Sequence, residues 1–351
     1  MKKVGIITIT GLGNYGNRLQ NYALQQAIEK IPVCRCETFV NKSCRLKGYI
    51  KNIIMPRHGG LTKREQAFQK FNDKFVHFSD IKINNISKNR RILDYACLVC
   101  GSDQIWNSDY PENDKANFGF FFKDVKTISY AASFGTDSIA EKKKKRYAKY
   151  LKQMTAISVR EDKGKELAEQ LTGRTDICVH VDPTFLLTAE EWEKVEKKPE
   201  IYKDEKYILK YFLGEKNREL NQKLEEYATA HQLQIIDVIS PDSPYYNIGP
   251  SEFLYLERNA ELIVTDSFHS CVFAIIFQRP FIVAERTEKN LQSMGSRIDT
   301  LLAKFHLKNR KYNNGDLEQI TCSAIDYTDI KNILESEKNI SFQYLKKYLK
   351  N

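Results

Sequence analysis

The run Tyr95-Ala96-Cys97-Leu98-Val99-Cys100 constrains this chain more than any other segment, because it is apolar throughout and shows no polar alternation. A strand of that kind has no wet face, so it belongs in the middle of a parallel sheet covered on both sides. Runs of similar character recur at Val4 to Ile9, Thr127 to Ala132, Met154 to Val159, Ile177 to Val181, Tyr207 to Phe212, Leu233 to Val238, Glu261 to Thr265 and Pro280 to Val283, with a shorter one near 33–39. Between them lie stretches with helical spacing. Asn17 to Lys30 places Leu19, Tyr22, Ala23 and Ala27 on one side, and Asn217 to His231 does the same with Leu220, Leu224, Tyr227 and Ala228. Further helices are expected around 62–75, 139–154, 161–171, 251–259 (capped by Ser251), 270–277, from Gly295 onward, and at 332–350. The least regular stretch is 41–90, with His58-Gly59-Gly60 in a loop. Strands alternating with helices predict a doubly wound α/β fold.

A chain of 351 residues is longer than one core usually supports, so two domains are expected. The first runs over 1–187 and closes at Asp182-Pro183, where the proline forbids helical geometry to the residue before it. Residues 188–205 form a polar linker, 206–325 a second α/β domain, and 326–351 a C-terminal helix that returns to pack on the first domain.

Composition excludes several classes. Eight cysteines without paired zinc-ribbon spacing imply reduced, mostly buried thiols in a cytosolic protein, with no structural metal. The apolar run after Met1-Lys2-Lys3 is too short for a signal peptide and leads into a glycine loop, so it reads as a strand. No uninterrupted apolar window is long enough for a membrane span. The net charge of +10 suits an anionic ligand and leaves a peripheral membrane contact open, while no basic stripe interleaved with aromatics points to nucleic acid. The basic run Lys142 to Arg146 reads as a solvated helix face.

Three loops at strand ends gather polar side chains. Gly11-Leu12-Gly13-Asn14-Tyr15-Gly16-Asn17 follows the first strand and opens a helix, where bare N–H groups favour an anion. Asn14, Asn17 and Arg18 suit a polyhydroxylated or phosphorylated ligand there, against the alternative of a structural turn. Gly101-Ser102-Asp103-Gln104-Ile105-Trp106-Asn107 leaves the central strand at its carboxyl end, the edge where open sheets bind ligands. Trp106 either stacks on a sugar or belongs to the core; Asp103 either accepts a proton or caps the next turn; Ser102, Gln104 and Asn107 could read hydroxyls. Thr265-Asp266-Ser267-Phe268-His269-Ser270 ends a strand of the second domain, and His269 is its candidate proton carrier, with Asp266, Ser267 and Ser270 as candidate partners. Arg160 and Arg297 are candidate clamps for a carboxylate or phosphate, although Arg160 could simply pair with Glu161 or Asp162. His180 reads as interior. No Gly-x-Ser-x-Gly elbow is present, which argues against a hydrolase.

Together, Gly13 to Asn17 with Leu19 to Leu24, Cys100 to Asn107, Tyr130 to Gly135, Ser158 to Glu161, Val181 to Thr184 and Ser267 to Ser270 resemble the polysaccharide pyruvyl transferase family, in order, over about residues 4–300. The resemblance implies two facing Rossmann-like domains similar to the GT-B glycosyltransferase architecture. It implies transfer of pyruvate from phosphoenolpyruvate to hydroxyls of a cell-surface glycan or its precursor, forming a ketal, with phosphoenolpyruvate as donor substrate and no cofactor or metal. On that reading Asn14, Asn17 and Asp103 lie on the acceptor side, Arg160 and Arg297 hold the donor, and His269 is the acid/base. The acceptor would be a saccharide or lipid-linked glycan and the location cytoplasmic, open to the inner face of the membrane. Several members carry arginine two residues before the histidine, where this chain has Ser267. That departure leaves two alternatives: a glycosyltransferase using a nucleotide-sugar donor, and a non-catalytic carbohydrate-binding protein.

Overall fold

The computed structural model describes residues 2–41, 60–83, 89–109, 115–120, 124–215, 217–286, 295–313, 315 and 317–350. His58 and Gly59 of the expected loop lie outside these residues. Five parallel strands, β1 (Lys2–Ile7), β2 (Cys34–Asn41), β3 (Phe78–Ile83), β4 (Cys97–Cys100) and β5 (Thr127–Ser129), form one sheet in the order β3-β2-β1-β4-β5. Val4 of β1 sits between Cys36 and Cys97, and all four residues of β4 are buried, as a strand without alternation requires. Single bridges from Ile128 to Ala156 and from Ala132 to Val159 carry the sheet toward a short pair, β6 (Ser158–Val159) and β7 (Cys178–Val179). A second parallel sheet of β8 (Tyr207–Tyr211), β9 (Gln234–Asp237), β10 (Leu262–Thr265) and β11 (Phe281–Val283) has the order β11-β10-β8-β9. This is an α/β Rossmann-like fold, and each sheet reverses its strand order beside its first strand, the place where such sheets hold ligands.

The helices that position the site are α1 (Tyr15–Glu29), α2 (Lys63–Phe75), α3 (Glu141–Lys152), α4 (Asp162–Thr172), α5 (Ala189–Glu193), α6 (Arg218–Ala230), α7 (Pro250–Asn259), α8 (Phe268–Ile276), α9 (Ser296–Lys304), α10 (Leu317–Cys322) and α11 (Tyr327–Lys350). Thr62 caps α2 in a reciprocal box with Glu65. The 188–205 segment contains α5, whose Trp192 is fully buried between Tyr22 at 5.7 Å and Phe273 at 5.1 Å. From α11, Tyr344 donates its hydroxyl to the Ser129 carbonyl at 2.8 Å, and Leu345 and Leu349 are buried.

Several expectations are corrected. Strand β3 lies in the stretch taken as irregular: it is an edge strand whose exposed Asp80 and Lys82 interrupt its apolar positions, so it carries no continuous apolar run. Helix α7 starts at Pro250 with Gly249 as its cap, so Ser251 sits inside the first turn and does not cap; a proline is favoured at the first helical position. The strands expected at 154–159 and 177–181 shorten to two residues each. Cys178 and Cys322 are exposed, whereas Cys34, Cys36, Cys97, Cys100 and Cys271 are buried and free. Among the described residues, no helix is long and apolar enough to cross a membrane.

Candidate active site

Polar groups from the carboxyl ends of both sheets converge on Asp182, which precedes Pro183 and is 1 % exposed. Arg160 Nη1 donates to its Oδ2 at 2.7 Å, and Ser102 Oγ lies 3.0 Å from the same oxygen. Oδ1 accepts from the Thr184 N–H at 3.0 Å and the Thr184 hydroxyl at 2.8 Å. His269 Nε2 approaches Oδ2 to 3.5 Å, an ion-pair distance that leaves this nitrogen without a full hydrogen bond. Burial alone would raise the Asp182 pKa, but the charge of His269, Arg160 and the Thr184 N–H hold the carboxyl well below the usual range.

Arg160 is the hinge of this cluster. Besides Asp182 it donates from Nη2 to Asp103 Oδ1 at 3.3 Å, and its guanidinium lies 4.1 Å over the Phe268 ring. Burial lowers the pKa of this guanidinium, yet Asp182, Asp103 and Glu161 together raise it. Glu161 is itself held by the Ser133 hydroxyl at 2.7 Å and the Phe134 N–H at 3.2 Å; burial raises its pKa against the pull of Arg160. Asp103 is also pushed up by burial and drawn down by His269, Arg160 and Arg297, with a net shift downward. Its backbone sits at φ 63°, and Ala131 opposite sits at φ 46°. Non-glycine residues rarely adopt that region, so the surrounding bonds must hold this turn in place. Gly101 is obligatory here, because a Cβ would meet the Tyr130 carbonyl oxygen at 2.2 Å.

Arg297, in the first turn of α9, is buried, and its Nε has no partner; its guanidinium makes no ion pair among the described residues. Burial and the neighbouring Arg160 bring its pKa down to about 10. Arg160, Asp182, Phe268, Arg297 and Lys304 line a cavity of about 20 Å³. Such a space holds a water, not a substrate.

The loop after β1 reaches the same place from the other sheet. Asn14 accepts the Asn17 N–H at 3.1 Å as the cap of α1. A Cβ at Gly16 would stand 2.2 Å from His269 Nδ1, so the glycine is what lets the imidazole lie against the start of α1. Arg18 is fully buried and braces the loop, donating to the Ile9 carbonyl and to Asn21 Oδ1. It supports the fold at this point and presents nothing to a ligand.

Other expected ligand groups are also turned inward. Trp106 has no exposed surface; it stacks on Phe118 at 5.1 Å and donates Nε1–H to the Asn117 carbonyl at 3.3 Å, so no face remains for a sugar. Asn107 donates to Gln104 Oε1 at 2.8 Å and accepts the Asp109 N–H at 2.8 Å, which fixes the loop. Ser102 N–H donates to Gln20 Oε1 at 3.0 Å, and its hydroxyl is taken by the Ala131 carbonyl and Asp182. Ser270 donates to the buried Glu257 at 2.6 Å. Ser267 stands before α8 without a side-chain cap bond.

Two more residues tie the site together, Arg64 without any signal in the sequence and Asp266 expected as a partner of His269 but bonded elsewhere. Arg64 donates to the Tyr15 hydroxyl at 3.0 Å, the Gly13 carbonyl at 3.2 Å, the Val238 carbonyl at 3.2 Å and the Tyr246 carbonyl, joining the glycine loop to the second sheet. Asp266 accepts the N–H groups of Leu213 and Gly214 at 2.7 Å each and pairs with Arg286. Each is a charged residue in an otherwise ordinary helix or strand end, and only the tertiary structure supplies its partners. Among the described residues, no three His, Cys, Asp or Glu side chains are placed to hold a metal ion.

The buried His–Asp–Arg cluster lies at the strand ends of a Rossmann-like scaffold, and family membership makes the chain a transferase-like enzyme. The chain belongs to the polysaccharide pyruvyl transferase family, whose model matches residues 14–286. No curated protein matches it by sequence. Its fold is similar to that of a Listeria monocytogenes protein assigned as a UDP-N-acetylglucosamine 2-epimerase, at 12% identity over 96% of this chain and 90% of that one, with a TM-score of 0.55. The Neisseria meningitidis UDP-GlcNAc 2-epimerase bound to UDP-GlcNAc gives 11% identity, 100% and 93% coverage, and a TM-score of 0.52. The N-terminal domain of Candida albicans trehalose-6-phosphate phosphatase gives 11% identity, 100% and 99% coverage, and 0.51.

These likenesses correct the expected chemistry. Two of these three solved structures that share the fold are UDP-GlcNAc 2-epimerases, enzymes named for a nucleotide-sugar. The reading as a phosphoenolpyruvate-dependent ketal-forming enzyme is therefore withdrawn. The geometry agrees: the Arg160 clamp is already occupied by Asp182 and Asp103, and position 267 offers a serine in place of a cation.

Proposed function

We propose that this chain transfers a glycosyl group from a nucleotide-sugar to a growing glycan. The observation that carries the reading is the start of α8, where no side chain caps the helix and His269 Nε2, without a hydrogen bond and 3.5 Å from Asp182, stands beside it. A helix start of this kind, at the carboxyl edge of the central strand β10, favours a diphosphate. The fold likeness to the Neisseria enzyme, which is bound to UDP-GlcNAc, supports the same donor class.

On this reading the two sheets face each other as GT-B lobes. Residues 1–187 receive the saccharide acceptor, 188–205 connect, 206–325 hold the donor and 326–351 return to the first lobe. The bond between the sugar's anomeric carbon and the diphosphate breaks as an acceptor hydroxyl bonds to that carbon. His269 takes the hydroxyl proton, Asp182 offsets the imidazolium that results, and the departing nucleoside diphosphate keeps its charge at the helix start, helped by Arg297. Asn14 and Asn17 border the acceptor side.

Thermal unfolding with UDP, UDP-GlcNAc or phosphoenolpyruvate tests the donor, since a ligand that binds only the folded chain raises its melting temperature. UDP and UDP-GlcNAc should raise it and phosphoenolpyruvate should not. UDP release with a pooled glycan acceptor should then disappear in His269→Ala. Stabilisation by phosphoenolpyruvate alone would overturn the proposal.

A further inference from the structure

An open groove lies away from the His–Asp–Arg cluster. It has a volume of about 580 Å³ and runs between α2, the segment 194–201 and the start of α7. One face of α2 supplies Lys63, Ala67, Lys70, Phe71 and Lys74, spaced so that the three ammonium groups lie along one side of the groove. At the rise of an α-helix, Lys63 and Lys74 are roughly 16 Å apart along the axis. Lys194 and Lys197 stand on the 194–201 side.

The charges do not cancel. Glu196 is held by Arg258 at 2.7 Å; Glu200 and Glu252 pair with Lys197 at 3.3 and 3.5 Å. Among the described residues, Lys63, Lys70, Lys74 and Lys194 have no ion pair, and all four are exposed. Glu200 and Glu252 share one lysine, yet the groove keeps an excess of positive charge, with five lysines lining it against three glutamates. Phe75 and Ile201 add apolar surface to the lining, while Gln66, Asn247 and Ser251 add hydrogen-bonding groups.

We infer that this groove is a second, non-catalytic binding site for an extended acidic oligosaccharide carrying carboxylates or phosphates. A row of cations this long suits a linear polyanion better than a compact ion. The concave shape excludes a flat bilayer, and apolar patches alternating with amides suit sugar rings, with their C–H faces and hydroxyls. Chain-binding here would hold a long acceptor to the enzyme through many contacts of modest strength, and the inference stands whatever donor the catalytic cluster uses.

A direct titration of the full chain with a heptameric oligogalacturonate, its fully methyl-esterified form and a glutamate heptapeptide tests it. The oligogalacturonate should bind, and its affinity should fall steeply as salt rises. The ester should bind at least tenfold more weakly. Lys70→Glu/Lys74→Glu/Lys194→Glu, all exposed changes, should lower oligogalacturonate affinity at least tenfold with an unchanged melting temperature. Absent binding, equal binding of the ester, an unaffected triple variant, or a peptide that binds as well as the sugar would each overturn the inference.

Discussion

At the scale of single residues, the glycines and histidines carry sharper consequences than the charged clamps. Gly16→Ala should gain slightly in helix propensity yet lose stability by about 1–3 kcal/mol, because its new methyl overlaps the His269 ring. Gly11→Ala, whose Cβ meets nothing within 4 Å, should stay within about 0.5 kcal/mol of the parent. Urea unfolding of the pair checks this, and only the first should also depress turnover. His180 is interior, 2.8 Å from Ser158 Oγ and packed on Tyr344, and burial takes its pKa down to about 4. Below the ordinary histidine value near 6.5 the unfolded chain takes up a proton that the folded chain refuses. Stability should therefore fall as pH drops from about 6.5 to 4, by at most roughly 3 kcal/mol, and level off below. His180→Gln should flatten that limb in unfolding measurements across the window. The sequence placed His180 inside and His269 at a strand-to-helix junction, because each follows from a neighbouring apolar run. It could not place Trp106, whose stacking on Phe118 is a tertiary fact.

At the scale of elements, the legible parts were those with one strong period. The fully buried β4 and the amphipathic α1 and α6 lie within a residue or two of their expected limits. Strand β3 was hidden because only alternate residues are buried, and β6 and β7 shortened because their flanks bend away into isolated bridges. Helix α2 was visible but its cargo was not: Arg64 looks like any solvated helix residue until its four acceptors are in place. Loosening the start of α2 should reach that network. Thr62→Ala removes the reciprocal cap and should cost about 1 kcal/mol in denaturant unfolding, with native contents of helix by circular dichroism. A loss much below that would mean that Arg64 and the ring stack around it, not the cap, fix the helix start.

At the scale of the whole molecule, the family model gives the class of enzyme and the solved structures give the Rossmann-like fold. The motifs that carry the resemblance mostly build the scaffold: Ser102, Gln104 and Asn107 fix a turn, Arg18 braces a loop, and Ser270 serves Glu257. A shared scaffold can keep its internal hydrogen bonds while single positions beside them change, as Ser267 does where several family members carry arginine. This is why residue patterns identified the family and misjudged the reaction.

The cluster around Asp182 also has a provenance. The carboxylate and Gly16 belong to the segments of the first sheet, and the imidazole that meets both comes from α8 of the second. Imidazole and carboxylate are thus contributed by separate halves of the chain, like two keys to one lock. Any displacement of one sheet against the other would part this pair, so on the proposed function the imidazole keeps its counter-ion only while the two sheets hold this spacing.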